Sequence, residues 1–271
     1  MEVSKMISKP LFAREVKSNF KILVIFLAVI SMYGSIIIAM FDPKLGDSFK
    51  MMAEGMPEMF AAFGMTNFSP ILVEFIANIL YGFIFIVFPL IFLLILNSRI
   101  VTRYIDRGSM AYLLATPNSR KKIILTQATI SILSIAIIVA YMIGLGISVS
   151  SIMFSGELDI NKFLLINLGL FSLLTFLSGL CFAAACIFDD AKMANGVGMG
   201  ACIAFLLLKM LSQASDKAEV FKYVTPISLF DPTAIIKGLA SGYIGMGILF
   251  VVGIVFYLVA IQVFTKKDLS L

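Results

Sequence analysis

The chain is predicted to adopt an all-α integral membrane fold, and three observations carry that expectation. Hydrophobic residues make up 61% of its 271 residues and charged residues 14%, where soluble domains hold about 45–50% and about 25%. Mean hydropathy is +1.05. The apolar residues gather into six runs, each long enough to cross a hydrocarbon core of roughly 30 Å as a helix of about 20 residues. No internal repeat, low-complexity tract or separate soluble domain interrupts them, so 1–271 reads as a single transmembrane domain.

The first expected element is an N-terminal interfacial helix over 8–21. In "SKPLFAREVKSNFK", Pro10 suits a first helical turn, and Leu11, Phe12, Val16 and Phe20 fall near helical spacing. Arg14, Lys17 and Lys21 are placed to meet lipid headgroups. The six spans are expected at 22–41, 71–96, 123–151, 163–187, 194–214 and 241–264. The first begins only after about twenty residues and has no small-residue cleavage site, so it is expected to stay as a span rather than leave as a signal peptide.

Between the first two spans, "DSFKMMAEGMPEMFAAFGM" carries Phe49, Met52, Met56, Met59, Phe60 and Phe63 on roughly one stripe, broken at Gly55 and Pro57 into short helices. It reads either as an interfacial anchor or as an adaptable lid. "FSGELDINK" and "FDDAKM" are tight connections between antiparallel neighbours, with Asp189 and Asp190 in the second as a cap or stop signal. The longer "SDKAEVFKYVTPISLFDPTAIIKGLASGY", punctuated by Pro226 and Pro232, is expected to fold back as short helices.

Orientation follows from the basic residues. With the N-terminus inside, fourteen of the 21 lysines and arginines fall on cytoplasmic segments, the bias that sets topology in short loops. Both termini are therefore expected in the cytoplasm of a multi-pass plasma-membrane protein. The same loops account for the net charge of +5 without a nucleic-acid partner.

Catalytic chemistry has little to build on. The chain has no histidine, which removes the commonest metal ligand and the usual partner of a serine or cysteine nucleophile. Cys181, Cys186 and Cys202 sit in apolar runs without metal spacing and read as small buried hydrophobes. "GVGMG", 196–200, lacks the Lys-Ser/Thr of a phosphate loop and reads as small residues for close helix packing. No cofactor, metal or catalytic residue is expected on this chain. Within the spans, Glu74 and Asn78 lie one helical turn apart and Lys209 late in the fifth. They either face the bundle interior or a water-filled translocation path, or reach the outer headgroups.

The most informative stretch is "DRGSMAYLLATPNSR", 106–120. Gly108 and Ser109 can open a short helix whose apolar surface is Met110, Tyr112, Leu113 and Leu114, and Pro117 ends it. Arg99, Arg103 and Arg107 precede it; Arg120, Lys121 and Lys122 follow. A helix of about eight residues is not stable alone in water, so it calls for a groove to sit in.

That pattern resembles the permease subunit of a type 2 ABC exporter, whose equivalent loop has an acidic start, a small-residue opening, an apolar Tyr-Leu-Leu core and a Pro-x-Ser-Arg close. Here these are Asp106, Gly108 and Ser109, Tyr112, Leu113 and Leu114, then Pro117 through Arg120. "LFAREVKSN" resembles the family's elbow helix, "EGMPEMFAAFGM" its first outer loop, "TPISLFDP" its last outer segment and "FTKKDL" its basic tail. Ala111 departs from the pattern, standing where a second acidic residue often precedes the core.

The resemblance implies a coupling helix at about 107–116, docked in a separate cytoplasmic ABC ATPase that binds MgATP, and a homodimer or heterodimer of permeases in the bilayer. In that scheme Asp106, Gly108, Ser109, Tyr112, Leu113, Leu114, Pro117 and Arg120 engage the ATPase. Spans rich in Phe, Met, Ile and Leu suit hydrophobic or amphipathic cargo, an antimicrobial or cytolytic peptide or a lipophilic drug. The alternatives are a secondary transporter driven by an ion gradient and a non-transporting scaffold or immunity protein.

Overall fold

The computed structural model describes residues 7–41, 55–63, 69–106, 119–214 and 216–266. Among these the chain is helical, with no strand. Eight helices organise it: α1 (Lys9–Ala39), α2 (Pro57–Ala62), α3 (Leu72–Thr102), α4 (Arg120–Met153), α5 (Ile160–Ile187), α6 (Ala191–Ala214), α7 (Pro232–Ile236) and α8 (Ala240–Lys266). All but the short α2 and α7 are long and apolar enough to cross a membrane, at or near the six expected places.

The first helix differs from expectation. Residues 8–21 are not a separate surface helix but the opening of the unbroken 31-residue α1. No glycine or proline stands between Pro10, at its N-terminus, and Gly34, so nothing stops the helix at 21. Leu11, Glu15 and Asn19 are buried, while Val16 and Phe20 point outward together with Arg14, Lys17 and Lys21. Glu15 and Asn19 turn inward beside Leu11 because hydrogen-bonding partners wait there.

α3 runs past its expected end at 96 and contains two π-helical turns, Leu80–Ile84 and Ser98–Thr102. Pro89 lies inside it. A proline ring clashes with the carbonyl four residues back, here Phe85, the residue that closes the first π turn by bonding to Leu80 O. The helix continues through Arg103–Asp106.

At the centre stands α5, with 83% of its most hydrophobic stretch buried against 17% for α1. It packs on α3, α4, α6 and α7, and most extensively on α8. Glycines let α5 and α8 touch: a side-chain carbon at Gly179 would lie 2.7 Å from Gly253 O, and one at Gly253 would lie 2.8 Å from Phe176 N. Around this centre α1 leans on α3 and α4, and α6 on α5. Large apolar side chains on the outer helix faces, among them Ile25, Ile36, Leu207, Ile244 and Val251, are exposed, as a hydrocarbon solvent requires.

The segment after α6 folds back as predicted. It forms 3-10 turns at Asp216–Tyr223 and Pro226–Leu229 and then α7. Ile227, Phe230, Ile235 and Ile236 are buried, and Thr225 Oγ1 donates to Phe205 O of α6 at 2.8 Å. Space for this loop comes from Gly169 of α5 and from Gly242 and Gly245 of α8, where any side chain would strike Ile235 or Leu229.

Candidate functional site

The ends of α3 and α4 that flank 106–120 are both fastened to α1. The Tyr104 hydroxyl donates to Glu15 Oε1, and Ser8 N–H donates to Thr126 Oγ1 at 3.0 Å. Asn19 Nδ2 donates to the Glu15 carbonyl at 2.9 Å and to its carboxylate at 3.4 Å. Ser119 caps α4 by accepting from Lys122 N–H at 3.2 Å, and Arg120 is the first, half-buried residue of that helix. Asp106 is the last described residue of the helical stretch Arg103–Asp106. Gly108, Ser109, Tyr112, Leu113, Leu114 and Pro117, with the helix expected at 107–116, lie outside the described residues.

Deeper in the bundle, four helices meet in a polar knot. Asn97 (α3), Ser131 (α4), Ser178 (α5) and Tyr257 (α8) are all buried. The three hydroxyls stand 2.8 Å from one another, Asn97 Nδ2 donates to Ser178 Oγ at 2.9 Å, and Ser131 Oγ donates to Asn97 Oδ1 at 3.2 Å. In an apolar setting such bonds hold helices together at about 0.6 kcal/mol each on average. The sequence reading missed this knot. Its one available signal was an amide, Asn97, inside "LLILNSR".

At the opposite end, Glu74 and Asn78 are brought together as expected. They line a cavity of about 220 Å³ with Thr233, Ile236 and Lys237, and Thr233 Oγ1 donates to Asn78 Oδ1 at 3.1 Å. Asn78 is buried; Glu74 is partly open and Lys237 exposed. The folded-back α7 supplies half of this wall, which spacing within one span could not reveal.

Lys209 turns inward, the first of the two courses considered for it. It is buried beneath the 216–236 loop, in the field of Asp231, whose carboxylate caps α7 through Ala234 N–H at 3.0 Å. The cysteines are buried and form no disulfide, Cys181 and Cys202 facing each other across α5 and α6 with sulfurs 3.5 Å apart. In "GVGMG", Gly198 packs against Cys181 and Ala184, whereas Gly196 and Gly200 face open space. No cluster of metal-binding side chains occurs among the described residues. No protein-family model, curated protein or solved structure matches the chain.

Proposed function

We propose that the chain is the membrane-spanning permease subunit of an ATP-driven exporter, paired with a second permease and worked by a separate cytoplasmic ABC ATPase that binds MgATP. The observation that carries this reading is the segment 106–120, an apolar Tyr112-Leu113-Leu114 core closed by Pro117 and Arg120 and flanked by arginines and lysines. The bracing around it supports the same reading. A push delivered between Asp106 and Arg120 reaches α3 and α4 directly, and α1 through Tyr104–Glu15 and Ser8–Thr126. Reversing a two-state equilibrium from 1:99 to 99:1 takes about 5.5 kcal/mol of differential binding, which needs a seated plug rather than a slack loop.

Tyr112, Leu113 and Leu114 fill the ATPase groove in this scheme, Gly108 and Ser109 open the helix, and Asp106 and Arg120 hold its two ends. The cargo is hydrophobic or amphipathic, an antimicrobial or cytolytic peptide or a lipophilic drug. Leu113→Asp in the reconstituted complex is expected to leave membrane insertion intact and abolish cargo-stimulated ATP hydrolysis. Stimulation equal to that of the native chain would remove the docking role.

A further inference from the structure

We propose that the cavity between α3 and α7 binds the zwitterionic headgroup of a phospholipid, with its ammonium against Glu74 and its phosphate against Lys237. The cavity holds one carboxylate and one ammonium, yet among the described residues no ion pair joins them. A ligand of single charge would satisfy one and leave the other unmatched. A zwitterion satisfies both with charge-assisted hydrogen bonds. Asn78, its amide fixed by Thr233, adds a neutral polar wall, and Ile236 an apolar one.

Size and depth select the class. At about 220 Å³ the space exceeds the roughly 30 Å³ share of a water molecule severalfold. It remains below the roughly 300 Å³ at which pockets for drug-sized ligands begin. Glu74 lies in the first turn of α3, and Lys237 caps the end of α7 shortly before α8 begins at Ala240. Both therefore sit where apolar spans give way to loops, the level of lipid headgroups. The inference goes beyond the ATPase-driven reading and needs only that the helices cross a bilayer.

The test uses the full-length protein in detergent, without any ATPase, so its failure and that of the export reading are separable. Phosphatidylethanolamine and phosphatidylglycerol with identical acyl chains are added in equal amounts, and retained lipid is counted by native mass spectrometry. Phosphatidylethanolamine is expected to be retained at least about tenfold more, the discrimination of one charge-assisted contact. At positions that are not fully buried, Lys237→Gln is expected to lower retention of both lipids alike and Glu74→Gln to erase the preference, neither lowering the melting temperature. Thr233→Val, which only loosens Asn78, is expected to weaken it. Equal retention of the two lipids by the native chain would overturn the proposal, as would a preference that survives Glu74→Gln. Displacement of the lipid by an equal concentration of free phosphoethanolamine would overturn it too, by showing that the site takes a soluble zwitterion.

Discussion

Glu15 is a carboxylate buried in a helix whose neighbouring positions, Val16 and Phe20, are exposed apolar side chains. Burying a carboxylate is costly unless hydrogen bonds meet it, and Tyr104 and Asn19 supply them. The effect is measurable on Tyr104, which lies beyond the end of the α3 span. Burial, then the hydrogen bond to Glu15 and its charge, push the phenol from 10.0 up to about 12. The fold keeps this proton where the unfolded chain, with its phenol near 10, has lost it. The stabilisation is therefore complete below pH 10 and declines as pH rises through about 12. The melting temperature of the native chain is expected to exceed that of Tyr104→Phe at pH 9, with the gap narrowing steadily up to pH 12. A gap independent of pH over that range would mean that Tyr104 titrates alike in both states. None of this was legible in the sequence, because Glu15 and Tyr104 are far apart in the chain and an acidic residue among Arg14, Lys17 and Lys21 reads as part of a solvated face.

Among the elements, spans were legible and their contacts were not. Runs of apolar residues bounded by "FSGELDINK" and "FDDAKM" placed α4, α5 and α6 within a few residues, since hydrocarbon thickness leaves few other solutions. Pro226 and Pro232 likewise announced the folded-back loop. Which faces meet depends on where small residues oppose each other. Gly179 and Gly253 have no special spacing, yet they fix the α5–α8 interface. Ser131, Ser178 and Tyr257 look like neutral spacers in apolar runs until four helices converge on them. Gly253→Leu forces a side chain into the Phe176 backbone and is expected to destabilise the protein by about 1–3 kcal/mol. Gly200→Leu, which meets open space, is expected to stay within about 0.5 kcal/mol. Denaturant titration in detergent compares the two, and equal effects would show that α5 and α8 do not touch there.

For the whole molecule, the alternation of six spans places two sets of connections at opposite ends. One end carries Arg103–Asp106, Ser119 and the Phe188–Asp190 turn. The other carries α2, the 154–159 turn and the cavity, and is tied together by Phe41 packing edge-on against Phe75 and Phe154 at 5.3 and 5.2 Å. Docking of 106–120 into a cytoplasmic ATPase requires the first end to face inward and therefore requires Gly156 to face outward. The native cysteines are buried, so a single introduced thiol reports its side with little background. Gly156→Cys, in open space at the tip of its turn, is expected to react with a membrane-impermeant maleimide in intact cells. Asp190→Cys, exposed at the other end, is expected to react only after permeabilisation. The Gly156 backbone has a φ of 84°, which disfavours a side chain, so Ser155→Cys beside it serves as a second probe of the same turn. Labelling in the reverse order at both ends would put 106–120 outside the cell, out of reach of any nucleotide-driven partner. The lipid cavity would then face the inner leaflet with its chemistry unchanged.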